Sequence, residues 1–286
     1  MSRRPRLEVT PRMRQAARSQ WTQWIGPMEA LALWISNYAI ALWALVLIVA
    51  LVCGDFLWRR ARRHRLATTG KRDYLALEPG TAAALLAVFG GVFGLLFWAV
   101  WTHSALTRFD AALALDLHHN LSPEVLQGVV VFTWLGDPQL VTVSALIVAL
   151  LLALRRQWRL FIPWGVGLGG MVASNDVVKR FMQRARPFNG HGFITETGFS
   201  FPSGHAAGSL VFFGLLAYLL LRQCLPRHHR DTVAVAVALV TLIGFSRVML
   251  QVHYLSDVLA GYALGACWLV IAMALAEQLR RGAPTS

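Results

Sequence analysis

Charged side chains are scarce in this chain of 286 residues: Asp, Glu, Lys and Arg make up 14% of it, against roughly 25% in soluble globular domains. Acidic residues are the scarcest, with 14 Asp and Glu against 27 Lys and Arg, whereas 56% of the residues are hydrophobic. This balance excludes an ordinary soluble domain and predicts an integral membrane protein.

Cysteine is nearly absent as well. Cys53, Cys224 and Cys267 lie in or beside apolar runs and have no paired spacing. They therefore indicate neither a disulfide framework nor a zinc knuckle. We see no internal repeat and no sequence signal for a cofactor, a metal ion or an oligomeric state.

Seven apolar runs approach the roughly 20 residues that cross the hydrocarbon core of a membrane. They extend over Ala30 to Cys53, Ala82 to Trp101, Gln139 to Leu154, Leu160 to Val178, Ala206 to Leu221, Thr232 to Leu250 and Val258 to Ala276. All are predicted as helices, because an open strand leaves backbone groups unpaired in lipid. The predicted fold is an all-α integral membrane protein with a six-transmembrane-helix core plus one extra N-terminal hydrophobic helix.

The predicted organisation has three parts. Residues 1–29 form a basic N-terminal segment, residues 30–80 hold the extra hydrophobic helix and a basic linker, and residues 81–281 form the six-helix domain. A further short helix, capped at Ser122 and started by Pro123, is expected to end near Leu135 on the outer face.

The formal net charge of +13 would suggest nucleic-acid binding in a soluble protein, but here the basic residues sort by loop. They concentrate in residues 54–80, 155–159, 222–230 and 280–281. If the last six runs each cross once, these regions share one side, which the positive-inside rule makes cytoplasmic. The expected surroundings are a bilayer, the bacterial inner membrane, and no nucleic acid.

The first apolar run conflicts with this rule because both of its flanks are basic. Three arrangements remain open: the N-terminus is exported against its charge, the run enters and returns, or it lies along the surface. We favour a true seventh helix.

Three polar clusters lie on the side away from the cytoplasm, and they contain three of the six basic residues on that side; charged side chains near a bilayer indicate a functional site. Their members are Lys179 with Arg186-Pro187, then Pro202-Ser203-Gly204-His205, and last Ser246-Arg247 with His253 and Asp257. Cations crowded at a membrane boundary repel each other unless they share an anion. Guanidinium groups fit phosphate oxygens in bidentate fashion.

The histidines suggest what happens to such an anion. His253 and Asp257 are four residues apart and face the same way on a helix, so the carboxylate can orient an imidazole that attacks. His205 can then protonate the leaving oxygen. Ser203 and Gly204 begin a helix, where free N–H groups accept an oxyanion.

The ordered set of motifs resembles the type 2 phosphatidic acid phosphatase superfamily, whose signatures are K-x6-R-P, P-S-G-H and S-R-x5-H-x3-D. All eleven specified residues are present at the right spacing. The similarity covers about Thr81 to Leu279, and residues 197–201 are similar to those of bacterial phosphatidylglycerophosphatase B relatives.

The resemblance implies a metal-independent membrane lipid phosphatase that works through a phosphohistidine and needs no cofactor. It makes His253 the nucleophile, Asp257 its orienting partner and His205 the general acid. Its implied phosphate-binding residues are Lys179, Arg186, Ser203, Gly204 and Arg247. The implied substrate is a membrane lipid phosphate or pyrophosphate, such as phosphatidylglycerophosphate, phosphatidate, undecaprenyl pyrophosphate or a lipid A phosphate.

Other interpretations remain open. A lipid phosphotransferase would use the same residues, and a phosphate-binding transporter is a remote alternative. Arg180 and Arg184 are expected to be exposed cations at a helix end, and Asp176 is expected to pair with Lys179. His191 and Glu196 are candidates for contact with a head group.

Overall fold

A computed structural model describes residues 26–69, 77–188, 192–194, 196–223 and 225–281. Most of the predicted basic segment 1–29, part of the linker, and Cys224 therefore lie outside the described residues. The described chain forms helices α1 (Pro27–Asn37), α2 (Ala39–Thr69), α3 (Pro79–Trp101), α4 (Ala105–Asn120), α5 (Pro123–Trp134), α6 (Pro138–Leu154), α7 (Trp158–Met182), α8 (Gly204–Gln223), α9 (His229–Met249) and α10 (Leu255–Arg281).

Six helical stretches of the described chain are long and apolar enough to cross a membrane, which confirms the predicted all-α membrane fold. They are Ala39–Arg63, Pro79–Trp101, Pro123–Leu154, Gly204–Gln223, His229–Met249 and Leu255–Arg281. The predicted run from Leu160 to Val178 forms α7. It is not among the six, because glycines and polar residues dilute its apolar character.

The first apolar run is not one helix, and its predicted start at Ala30 is wrong. It breaks at Tyr38 into α1 and α2, and the candidate span begins at Ala39. The break lets α1 pack on α4, where Ala32 is buried against Phe109 and Leu113. Helix α1 is therefore buried against α4 and does not continue the membrane-spanning helix.

Helices α8 and α10 form the centre of the bundle, and α8 has the largest buried share among the six spans. On one side α6 and α7 pack on α8 through a core that includes Trp164, Met171 and Phe212. On the other side α9 packs on α8, and α2 packs on α9.

The two ends of the bundle differ in charge. We call the end that carries the three polar clusters the signature end; α7 and α9 finish there, and α8 and α10 begin there. At the opposite end, arginines dominate the helix termini, where Arg230 pairs with Asp55 at 2.7 Å. The structure therefore separates the basic loops from the polar clusters, as the loop charges predict.

Large apolar side chains cover the outside of the bundle. Examples on α2, α3 and α6 are more than half exposed: Val52 at 62%, Leu95 at 73% and Leu146 at 64%. An apolar surface of this extent suits contact with lipid, whereas in water it would favour aggregation.

Candidate active site

The structure brings the eight predicted site residues to the signature end from four helices and two connecting segments. Lys179 lies in the last turn of α7 and Arg247 in the last turn of α9. The remaining six occupy the segment after α7, the start of α8, the α9–α10 loop and the first turn of α10: Arg186, Ser203, Gly204, His205, His253 and Asp257.

Arg186 connects the segment after α7 to the α9–α10 loop. Its Nη1 donates to the backbone oxygen of Val252 at 2.8 Å and lies 3.1 Å from His253 Nε2. Its Nε donates to the Gly198 carbonyl at 3.1 Å. These bonds fix the guanidinium beside the imidazole ring.

The contact between Arg186 and His253 determines which ring nitrogen carries the proton. A guanidinium has donors and no acceptor, so His253 Nε2 must accept and must hold a free electron pair. The ring proton then sits on Nδ1, which faces Asp257 Oδ2 at 3.5 Å. Burial lowers the pKa of His253 well below its ordinary value of 6.5, and the positive charges of Arg186, Arg247 and Lys179 lower it further. The ring is therefore neutral, with its unprotonated nitrogen on the cationic side.

Asp257 is held by more than its histidine. Its Oδ1 accepts from Arg184 Nη1 at 2.6 Å, and its Oδ2 accepts from the Tyr254 backbone N–H at 2.9 Å. The 3.5 Å gap to His253 Nδ1 is longer than a hydrogen bond, and that nitrogen has no partner among the described residues. The carboxylate is thus fixed in position beside the imidazole.

Arg184 is a buried structural link, so its predicted role as an exposed helix-end cation is wrong. Its side chain is 12% exposed, and its Nη2 donates to Asp110 Oδ2 at 2.9 Å. The guanidinium also lies 4.1 Å from the centre of the Tyr254 ring. Arg184 therefore joins α4 to the Asp257 carboxylate at the start of α10.

A sequence signal for Arg184 exists. A residue before proline favours extended backbone, and residues two apart in an extended segment point to the same side. Arg184 and Arg186 precede Pro187 in this way, and the structure has no helix there. Asp110 has no comparable signal, because it lies outside the three motifs.

The predicted pair between Asp176 and Lys179 is wrong. Asp176 pairs with Arg180 at 2.8 Å, and both side chains are largely exposed. Lys179 instead donates through Nζ to the Phe199 carbonyl at 2.6 Å. The lysine thereby ties the end of α7 to the segment that leads into α8.

The start of α8 is packed tightly against α10. Ser203 Oγ accepts from the Ala206 N–H at 3.4 Å, and the Ser203 N–H donates to the Asp257 carbonyl at 2.9 Å. A Cβ atom on Gly261 would lie 2.5 Å from the Ser203 oxygen, so only glycine permits this approach. The approach places the first turn of α8 beside the carboxylate of α10.

Glu196 lies outside the three motifs, yet its carboxylate lies among the site residues. Its Oε1 accepts from Arg247 Nη2, its Oε2 lies 3.7 Å from Arg186 Nη2, and its Oε1 lies 4.0 Å from His205 Nε2. One carboxylate therefore lies against two of the three cations predicted to bind phosphate, Arg186 and Arg247. Its predicted contact with a head group remains a prediction, and His191 lies outside the described residues.

Arg247 is the most buried of these cations, at 1% exposure. Its Nη1 donates to Thr133 Oγ1 at 2.6 Å, which links α9 to α5. Its Nε is buried and has no hydrogen-bond partner in the described part of the chain. A donor in this state fits an oxyanion acceptor.

The described site residues form no group of three or more His, Cys, Asp or Glu side chains arranged for a metal ion. What they form is a neutral imidazole with a fixed carboxylate behind it and guanidiniums around its free nitrogen. At one end of a membrane-spanning bundle, this arrangement defines a class of membrane proteins with a cationic site suited to a phosphate group.

Comparisons with known proteins identify the family that this chain resembles. Residues 158–281 match the family model described as PAP2 superfamily. Phosphatidylglycerophosphatase B of Bacillus subtilis is 33% identical over 37% of this chain and 53% of its own length. Lipid A 1-phosphatase of Rhizobium etli is 36% identical over 38% of this chain and 46% of its own length. The chain thus spans about half the length of these curated relatives.

A solved structure extends the likeness beyond these segments. The crystal structure of the first transmembrane PAP2 type phosphatidylglycerolphosphate phosphatase from Bacillus subtilis superposes with a TM-score of 0.62 at 26% identity. The match covers 69% of this chain and 98% of that one. Residues 158–281 thus match the PAP2 superfamily, and the resemblance inferred from the motifs is confirmed over that part of the chain.

Proposed function

We propose that this protein is a metal-independent membrane lipid phosphatase that hydrolyses a lipid phosphate or pyrophosphate monoester through a phosphohistidine. The observation that carries the proposal is the 3.1 Å contact between Arg186 Nη1 and His253 Nε2, because a guanidinium only donates and this nitrogen must therefore be unprotonated. Residues 81–281 would form the phosphatase domain. The loop charges support a periplasmic site in the bacterial inner membrane.

The chemistry has two balanced steps. His253 Nε2 attacks phosphorus and forms the P–N bond while the P–O bond to the lipid breaks, and His205 gives its proton to the departing oxygen. A water molecule then attacks phosphorus, His205 takes the water proton, and the P–N bond breaks to release orthophosphate. Asp257 stabilises the positive charge that the attacking imidazole acquires.

Positive charge around the phosphoryl group would bind it and stabilise its oxygens. Lys179, Arg186 and Arg247 would neutralise the phosphate oxygens, and Ser203 and Gly204 would add the donors of a helix start. Because these cations are part of the protein, the proposed mechanism requires no metal ion to balance charge.

A membrane amphiphile is the substrate that the surroundings favour. The site lies at the end of a bundle with an apolar exterior, so a phosphate can enter it while its lipid tails stay in the bilayer. The two curated relatives carry the names of different lipid phosphates. We therefore propose lipid phosphates as a group, and no single lipid, as the substrate class of this protein.

The test is release of orthophosphate from a panel of lipid phosphates and pyrophosphates by the purified protein. We expect activity on at least one lipid, unchanged by EDTA. Loss of activity with EDTA and recovery with magnesium would contradict the metal-independent mechanism. Transfer of labelled phosphate to a second lipid without orthophosphate release would favour the phosphotransferase, and binding with neither product would favour the transporter.

Glu196 should compete with phosphate for the guanidiniums. In Glu196→Gln the carboxylate charge beside Arg247 and Arg186 is gone, so orthophosphate should inhibit about tenfold more tightly, as for loss of one competing charged contact. The measurement is the inhibition constant of orthophosphate. The matched control is Glu124→Gln, an exposed residue at the start of α5, which should leave this constant unchanged. Weaker inhibition in Glu196→Gln would show that the carboxylate helps to bind phosphate.

A further inference from the structure

A cavity of about 500 Å³ lies at the end of the bundle opposite the active site. It opens where α7 begins and where α8 and α10 end. Arg222 on α8 follows Gly204 by 18 residues, so the cavity lies roughly 27 Å from the start of that helix at the rise of an α-helix. Four arginines line it: Arg156, Arg159, Arg222 and Arg280.

One buried carboxylate binds two of these four arginines. Glu277, 1% exposed, accepts from Arg222, from Arg280 Nη2 at 3.0 Å and from Tyr218 Oη at 2.7 Å. Two guanidiniums are thereby held against the cavity wall. The carboxylate is fully used by these bonds and compensates only part of the positive charge.

The other two arginines remain available. Arg156 and Arg159 make no side-chain hydrogen bond or ion pair with any residue that the structure describes, and both are exposed. No acidic side chain of the described chain lines the cavity. Glu277 supplies one negative charge against four guanidiniums, so the charges of Arg156 and Arg159 add a repulsion that a shared anion would offset.

The start of α7 adds donors to the same cavity. This helix of 25 residues begins at Trp158, and its N-cap residue Gln157 makes no side-chain capping bond. The first N–H groups of a helix lack intrahelical partners and carry the positive end of its dipole. The start of α7 and the four arginines therefore both favour an anionic ligand.

We propose that this cavity binds the phosphate group of an anionic phospholipid from the leaflet at that end. Guanidinium forks match phosphate oxygens, and basic pockets between transmembrane helices bind lipid head groups. Trp158, Leu160 and Ala276 supply an apolar wall for the glycerol and the first acyl carbons. The volume is in the usual range for a ligand site, roughly 300–1,000 Å³.

The rule that places basic residues on the cytoplasmic side does not account for this convergence. Arg155 has the same charge and the same loop as Arg156, yet it does not line the cavity. It is therefore a matched control. The proposal stands apart from the phosphatase activity, since none of these residues belongs to the active site.

The experiment measures binding of dioctanoyl-phosphatidylglycerol to the purified, delipidated full chain in neutral detergent by native mass spectrometry. Arg156→Gln combined with Arg159→Gln should weaken binding about tenfold, as expected for loss of basic contacts to a lipid phosphate. Arg155→Gln should leave it unchanged. Dioctanoyl-phosphatidylcholine, which has no net charge, should bind markedly less tightly than phosphatidylglycerol.

Each single variant should show part of the loss, so either one tests the site if the double variant does not fold. Thermal unfolding without lipid checks that the variants are intact. An equal loss in Arg155→Gln would mean general surface attraction and would overturn the proposal. Equal affinity for phosphatidylcholine would do the same, and so would binding of orthophosphate at this cavity as tight as that of the lipid.

Discussion

Replacing His253 with alanine is expected to abolish orthophosphate release from lipid substrates, with a loss of at least about 10⁴-fold, the scale seen when an enzymatic nucleophile is removed. The reason is that Nε2 of this ring forms the P–N bond that links the phosphoryl group to the protein in the proposed covalent step. The measurement is orthophosphate release in detergent. Rapid acid-free quenching with radiolabelled substrate should also trap a phosphoenzyme in the wild type and none in His253→Ala.

The matched control is His119→Ala. His119 is an exposed histidine on α4 at the same end of the bundle, and its removal should leave activity unchanged. Both variants should unfold at nearly the wild-type temperature. Substantial orthophosphate release by a folded His253→Ala protein would refute the phosphohistidine mechanism.

Replacing Arg184 with alanine is expected to lower the free energy of unfolding by about 3–5 kcal/mol, the cost of removing one partner from a buried ion pair. Asp110 and Asp257 are both fully buried and both depend on this guanidinium. Activity should fall as well, because Asp257 would lose the bond that positions it behind His253. Denaturant or thermal unfolding in detergent measures the first effect, and orthophosphate release measures the second.

Arg180→Ala provides the comparison, since this arginine lies four residues away and pairs with Asp176 at the surface. Its removal should cost less than about 1 kcal/mol. Adding Asp110→Asn to Arg184→Ala removes one of the stranded carboxylates and should recover part of the stability, because residues in one network do not act additively. Equal effects of Arg184→Ala and Arg180→Ala would show that the buried network carries little energy.

Much of the architecture was readable without coordinates. Apolar runs predicted the spans because lipid requires every backbone group to bond within its own helix, and loop charges separated the two ends. The motifs identified the residues that meet at one end: Pro202 to His205 lead into α8, and His253 lies just before α10, whose first turn holds Asp257. The predicted shared helix face of His253 and Asp257 is wrong, because α10 begins only at Leu255. Their chemical roles are proposals that the variants above test.

The errors have a common physical origin. Tyr38, where the first run breaks, is not a strong helix breaker, and the break depends on the burial of α1 against α4. Arg184 reads as a surface cation because its two carboxylate partners are 73 and 74 residues distant along the chain. Glu196 belongs to no motif, yet the connecting segment carries it to the cations.

By itself, the sequence determined the membrane class, the approximate spans and the residues of the candidate site, because these depend on hydrophobicity and on short-range spacing. Only the tertiary structure decided which nitrogen of His253 is free, which arginine holds Asp257 and which arginines converge at the opposite end. The physical reason is that hydrogen bonds and ion pairs depend on distances between residues remote in sequence, and packing of the helices sets those distances.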